Sequence, residues 1–303
     1  MIKNWLQLIR FPNLIIIALT QCLMQYLLLQ PILNQNHLNP VLKPIVFVQL
    51  ILLTVLAGAG GYIINDIKDR FIDSINKPTK LIVGKKIPVL LAQKAYFIVL
   101  IFSTLIALNL ATLFIKSLII AFISNGLLWL YACNLKQTVL FGNLAVAFLC
   151  AFTPTVLYWI EIDNIRQLQF ENFQSYKLLN FVFLTYICMA FLTTLFREIV
   201  KDIEDMEGDR NGGCTTLPIV YGMDKAKKGA FMIGMALLIA VLAMIWHIER
   251  FGCQVYLMIA VFIPMLYALY FLQKATTKIE FSTLSKMAKG IMMTGLCYLF
   301  WFI

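Results

Sequence analysis

The spacing Asp-x-x-Asp-x-x-x-Asp occurs twice in this chain, as Asp66, Asp69 and Asp73 and again as Asp202, Asp205 and Asp209. On a helix advancing about 100° per residue, offsets of 0, 3 and 7 fall within roughly 60° of one another, so each triad sets three carboxylates on one face. Lys68, Lys201 and Glu204 point away from that arc, while Glu198, four residues before Asp202, extends it. Three like charges on one face repel strongly near a membrane surface unless a divalent cation or basic groups neutralise them. Oxygen-only ligands select a hard cation, and Mg²⁺ suits a few carboxylates completed by water and phosphate oxygens. The expected metal ligands are therefore Asp66, Asp69, Asp73, Asp202, Asp205 and Asp209, with Asp66, Asp69, Asp202 and Asp205 as the catalytic four. A lone Asp-x-x-Asp reads as a solvated helix end. Two identically spaced triads, in a chain with only 15 acidic residues, favour a paired site that neutralises a departing diphosphate.

Basic residues flank the triads. Arg70, Lys77, Lys80, Lys136, Lys201 and Arg210 lie where they would hold phosphate oxygens, and Lys136 stands apart because it is isolated between two apolar segments. Tyr62, one helical turn before Asp66, and Tyr131 are the aromatics expected nearest the carboxylates.

These groups must be positioned by an apolar scaffold. The 303 residues are 61% hydrophobic and 13% charged, far from the balance of a soluble domain. Segments of the roughly 20 apolar residues that cross a bilayer can be drawn at about 13–30, 44–64, 95–114, 117–134, 139–160, 178–197, 229–248, 254–273 and 285–303. The expectation is an all-α, polytopic membrane protein with nine transmembrane helices. The first span follows Lys3 and Arg10 without a small-residue cleavage site, so it reads as a retained helix. Seven scattered cysteines have neither metal-ligand spacing nor a disulfide framework and read as small apolar residues.

With the N-terminus placed in the cytoplasm, the cytoplasmic segments hold 20 of the 25 lysines and arginines, and both aspartate motifs face that side. The net charge of +10 then follows from topology and anionic headgroups, and no nucleic-acid partner is needed. Two connections are long and polar, 65–94 and 197–228, and each opens on an aspartate motif. Four spans separate the motifs, which suggests two similar halves, spans 2–5 and 6–9, behind a first added helix. No separate soluble domain is visible, so residues 1–303 read as one domain.

At these residues the chain resembles the UbiA superfamily of intramembrane prenyltransferases. The first motif of that superfamily matches Asn65-Asp66-Ile67-Lys68-Asp69-Arg70-Phe71-Ile72-Asp73, and the second matches the run from Arg197 to Asp209, followed by Thr216-Leu217-Pro218. Arg10-Phe11-Pro12-Asn13, Tyr131 through Lys136, and Gly142-Asn143 agree in order. Within the superfamily, Lys201-Asp202-Ile203-Glu204-Asp205-x-Glu207-Gly208-Asp209 and Asn76-Lys77-Pro78 look most like geranylgeranylglycerol-phosphate geranylgeranyltransferases, which make the second ether bond of isoprenoid ether lipids. The resemblance implies nine helices around a central cavity open to lipid. It also implies a metal and diphosphate site of Asn65 with the six aspartates, and Arg70, Tyr131, Lys136 and Lys201 as substrate-binding residues. Thr215 stands where the family often has a basic residue, and Lys77-Pro78 where it often has Arg-Pro.

The expected reaction is Mg²⁺-dependent transfer of a prenyl group from an allylic polyprenyl diphosphate to a lipophilic acceptor, geranylgeranylglyceryl phosphate in the leading reading. Ionisation gives an allylic cation, which an apolar, aromatic-lined cavity shields from water. Prenylation of an aromatic ring in quinone biosynthesis is the alternative. A transporter is a remoter one, since it predicts polar groups at mid-membrane rather than at the ends of spans. His37 and His247 lie at the opposite edge and offer no base to either scheme.

Overall fold

The computed structural model describes every residue except Met1, Lys77, Lys80 and Ile303, with the backbone alone at Asn76 and Phe302. The described residues are helical almost throughout, with an isolated β-bridge between Val83 and Ile87. Eight helices among them are long and apolar enough to cross a membrane: Phe11–Gln35, Pro44–Lys68, Val89–Ala111, Lys116–Cys133, Phe141–Ile160, Phe173–Glu204, Met223–His247 and Phe251–Lys274. They are called spans one to eight below.

The expected ninth span, drawn at 285–303, is corrected by the structure. The last long helix is Lys278–Cys297, beginning seven residues earlier, and it passes into a 3₁₀ segment over Tyr298–Phe302. A capping box fixes its start: Glu280 N–H donates to Thr277 Oγ1, and Glu280 Oε2 accepts from Thr277 N–H at 2.8 Å. Lys278, Glu280, Lys286 and Lys289 on this helix make it too polar to count as a span by composition. It nevertheless packs along Phe173–Glu204.

Local sequence explains several irregularities. π-helical segments over Met24–Leu29 and Met258–Phe262 each run up to a proline, Pro31 and Pro264. Proline has no N–H and its ring crowds the carbonyl four residues back, so the ladder widens there. Ala260, four residues before Pro264, has its carbonyl satisfied instead by Thr294 Oγ1 at 2.7 Å.

Two helices act as hubs. Pro44–Lys68 packs against spans one, three and four; Phe173–Glu204 packs against spans five and seven and against Lys278–Cys297. Each hub carries an aspartate motif at its C-terminal end. The fifth span, Phe141–Ile160, lies chiefly on the sixth, and so ties the proposed first half to the second. At the outside, Val89–Ala111 leaves Phe97, Ile98, Ile101, Phe102, Leu105 and Leu108 exposed. So continuous an apolar surface belongs in hydrocarbon, and the protein is an integral membrane protein. A small core of Leu8, Ile63, Ile67, Ile82, Val83, Ile87 and Ala92 fastens the N-terminal helix Ile2–Leu8 and the loop after the first motif to the end of span two. All seven cysteines are free.

Candidate active site

Both hubs end in the same way. Span two stops at Lys68, Asp69 takes φ −81° and ψ 2°, and a short helix Arg70–Asn76 departs. Span six stops at Glu204, Asp205 takes φ −97° and ψ 7°, and a short helix Met206–Asn211 departs. The expectation of three carboxylates on one straight face is thereby corrected: the middle aspartate of each triad is a corner between two helices. The two short helices pack on each other. A Cβ on Gly212 would fall 2.6 Å from Ile72 Cγ1, so a glycine at that place permits the close approach. The motifs therefore face one another.

The connection between spans four and five is strapped across both. Its 3₁₀ turn, Leu135–Gln137, carries Lys136, whose ammonium forms an ion pair with Asp69 of the first motif. The next residue binds the far side: the Gln137 carbonyl accepts from Thr215 N–H at 2.7 Å and from Thr215 Oγ1 at 2.8 Å. At the start of span five, Asn143 Nδ2 donates to Asp202 Oδ2 at 2.7 Å. Gly142 lets the turn fold back, because a Cβ there would meet Lys136 Cα at 2.7 Å and the Leu135 carbonyl at 2.9 Å.

A second layer lies on the membrane side of the first motif. Arg10 sits in the left-handed region at φ 48°, donates to Asp66 Oδ1 at 3.1 Å, and covers the Tyr62 ring with its guanidinium 4.7 Å from the centroid. Asn13 donates to the Tyr62 hydroxyl at 3.1 Å and accepts from Lys289 Nζ at 2.6 Å. Glu198, buried in span six, accepts from Arg197 at 2.6 Å and from Lys201 at 3.0 Å. Tyr131 lies in the electrostatic reach of Glu198, Asp69, Asp202 and Arg10, between the two motifs.

Of the residues singled out in the sequence, Lys136 and Asp69 meet directly, Tyr131 lies within reach of Asp69 and Asp202, Asp66 is held by Arg10, and Lys201 binds Glu198. Asp205 is the second corner, and Asp73 and Asp209 sit on the short helices. Arg70 is exposed and turns its Nε back across the corner to the Ile67 carbonyl at 3.1 Å, capping the end of span two. Lys77 and Lys80 lie outside the described residues. Arg10, Asn13, Asn143, Arg197 and Lys289 were not singled out. Arg10 to Asn13 and Asn143 were visible only as fragments of a family pattern, and Lys289 only as topological charge.

Among the described residues no three carboxylates converge on one point. Their charges are instead met by Arg10, Lys136 and Asn143. Such an arrangement still fits Mg²⁺, which binds through one or two carboxylates, water and phosphate rather than an all-protein cage. The donor set is entirely oxygen. Asn65 Oδ1, next to Asp66, is a buried acceptor with no hydrogen-bond partner, as a ligand-facing oxygen would be. On the connection beyond the second motif, burial, with Asp209 alongside, pushes the Cys214 thiol up to about 11.

Residues 35–290 match the model of the UbiA prenyltransferase family. The chain is 36% identical to the digeranylgeranylglyceryl phosphate synthase of Saccharolobus solfataricus, over 87% of this chain and 84% of that protein. It is 35% identical to the synthase of Methanoculleus marisnigri over 60% of this chain, a match that spans 59% of the relative's length. A solved structure of a digeranylgeranylglyceryl phosphate synthase superposes with a TM-score of 0.64 at 28% identity, covering 98% of this chain and 96% of that one. A UbiA homologue of Archaeoglobus fulgidus bound to GPP and Mg²⁺ shares the fold at a TM-score of 0.56 and 14% identity, over 98% and 99% of the two chains. Two facing aspartate motifs on an all-helical membrane scaffold, together with these matches, place the chain in the UbiA prenyltransferase family.

Proposed function

We propose that this protein transfers a prenyl group from an allylic polyprenyl diphosphate to geranylgeranylglyceryl phosphate, forming the second ether bond of an isoprenoid ether lipid. The observation that carries the reading is the strap from Lys136 to Asn143, which ties to Asp69 on one side and to Asp202 and Thr215 on the other. An anionic leaving group held between two acidic motifs needs such a shared, partly cationic bridge. The relatives' names supply the acceptor class.

Mg²⁺ bound through Asn65 and the six aspartates would supply neutralising charge to the diphosphate. The protein's own groups do the rest. Lys136 presents a cation beside Asp69, where diphosphate oxygens would compete for it. Arg10 holds Asp66 in place through one guanidinium amino group, and the Asn143 amide does the same for Asp202. Tyr131, between the motifs, is the aromatic best placed to stabilise an allylic cation, while the Tyr62 ring is taken up by Arg10. Spans five and six carry both Asn143 and Asp202, and farther along the same pair lies an apolar cavity of about 380 Å³, lined among others by Phe148, Phe152, Leu184, Ile187 and Phe191. It is open on one side, where Phe148 and Leu184 are exposed, and its apolar lining suits a polyprenyl chain lying against lipid.

In this reading residues 1–303 work as one catalytic unit in a bacterial or archaeal cell membrane. The N-terminus and both motifs face the cytoplasm in this reading, which the excess of basic residues on that side supports. The test is to incubate membranes containing the protein with Mg²⁺, labelled prenyl diphosphates, and glycerol-phosphate or aromatic acceptors. Label is expected on geranylgeranylglyceryl phosphate. Label on the aromatic panel alone would move the protein to quinone-type prenylation, and intact diphosphate with every acceptor would refute prenyl transfer.

A further inference from the structure

Lys289 has no place in the chemistry of the leaving group, yet it is the most unusual charge in the molecule. It lies 11 residues into Lys278–Cys297, roughly 17 Å along that helix, where the chain faces other spans. An ionisable side chain at such depth is costly unless a partner of opposite charge meets it. Among the described residues no carboxylate does so: its hydrogen-bond partner is the neutral Asn13, 2.6 Å away. Another cation, Arg197 on the adjoining span six, lies within its electrostatic reach. Arg197 in turn spends one amino group on Glu198 and leaves its Nε buried without a hydrogen-bond partner.

Two cations within electrostatic reach of each other, one without a counter-charge and one with an orphaned donor, describe a site short of an anion. The leaving diphosphate belongs to the aspartates, and this site is a separate one. Asn13 links it to Tyr62, one turn before Asp66, so the cations lie just beneath the aspartate cluster on the membrane side. We propose that Lys289 and Arg197, with Asn13, bind the phosphate of the acceptor. This rests on the reading that the acceptor is a glycerol phosphate. In such an acceptor the hydroxyl that attacks is on the carbon next to the phosphate-bearing one, so its phosphate must bind within a few bonds of the allylic carbon. A second anion pocket bordering the diphosphate site is what that geometry demands. Lys289 and Arg197 would thereby set specificity for a phosphorylated acceptor over a neutral one.

The test uses the full-length protein in detergent with Lys289→Met and Lys289→Arg. For Lys289→Met, the KM for geranylgeranylglyceryl phosphate should rise at least about tenfold, the usual consequence of losing a charge-assisted hydrogen bond, while the KM for the prenyl diphosphate stays within about twofold. Its preference for the phosphorylated acceptor over the dephosphorylated glycerol ether should collapse, and Lys289→Arg should restore part of it. An unchanged acceptor KM, or a parallel rise in the diphosphate KM, would overturn the assignment. A second measurement is independent of turnover: an alkylglycerol phosphate, without prenyl diphosphate or metal, should raise the melting temperature of the wild type and not of Lys289→Met. If the wild type transfers prenyl groups to aromatic acceptors only, the glycerol-phosphate reading fails. The melting shift then decides the pocket by itself, and no shift in the wild type rejects it.

Discussion

Asp69 and Asp205 are one backbone device used twice. Each ends a long hub helix in the bridge region, at φ −81°, ψ 2° and φ −97°, ψ 7°. Each donates its N–H four residues back, to Asn65 at 2.8 Å and to Lys201 at 2.9 Å. Each then accepts from the last aspartate of its triad, Asp73 at 2.7 Å and Asp209 at 3.1 Å. The chain turns between these two bonds, so the middle carboxylate is carried on a corner whose backbone is tied on both sides. Rigidity there limits how far the carboxylate can travel to meet a ligand.

Lengthening that side chain should therefore be nearly as damaging as removing it. Asp69→Glu and Asp205→Glu keep the charge but displace it by about a methylene, and displacements near 1 Å cost on the order of a hundredfold in rate. We expect turnover to fall by about that factor with the melting temperature nearly unchanged. Initial rates with labelled prenyl diphosphate check this. Activity within about threefold of wild type would remove the corners from the site.

Gly142→Ala should damage the strap without touching an acidic group. The added Cβ would meet Lys136 Cα at 2.7 Å and the Leu135 carbonyl at 2.9 Å, both backbone atoms that cannot rotate aside. Overpacking of this kind costs about 1–3 kcal/mol. Thermal melting should show the loss. Turnover should fall further than in Gly213→Ala, where a Cβ meets nothing within 4 Å, although the positive φ of 72° at Gly213 adds strain of its own. Equal turnover in the two variants would mean that the placement of Lys136 does not matter.

Much of this arrangement was legible in the sequence because it is written in charge. Nine of 15 acids in two windows marked the motifs, and the isolation of Lys136 marked the strap. The break at each middle aspartate was not legible, since the spacing of apolar and acidic residues runs on through the corner. Lys289 did not stand out for a related reason. A lysine near the start of an apolar run looks like an interfacial charge until the helix is seen to begin at Lys278. Glu161 shows the opposite case: a fully buried carboxylate that looks functional in isolation merely holds Leu42 N–H at 2.8 Å and Asn164 at 2.6 Å at the far end of the molecule.

Arg10 should not be replaceable by lysine. One amino group bonds Asp66 while the guanidinium plane covers Tyr62, two tasks that a point charge cannot share. Cation–π contacts contribute about 0.5–2 kcal/mol, so Arg10→Lys is expected to lower turnover by about tenfold and Arg10→Ala by more. A lysine variant with wild-type rate would show that charge alone suffices at Asp66.

Cys214 gives a pH-dependent readout of the same neighbourhood. Burial, and secondarily the charge of Asp209, raises its thiol from an ordinary value of 9.0 to about 11. A thiol that holds its proton more tightly when folded contributes stability below pH 9, and that contribution is lost as pH rises from 9 towards 11. It should also react slowly, because only the thiolate attacks. At pH 8, iodoacetamide labelling followed by mass spectrometry should modify Cys214 at least about tenfold more slowly in the folded protein than after denaturation in SDS. Asp209→Asn removes the negative neighbour and should raise the folded-state rate. Labelling of folded wild type at the denatured rate would show that the second motif does not bury this residue.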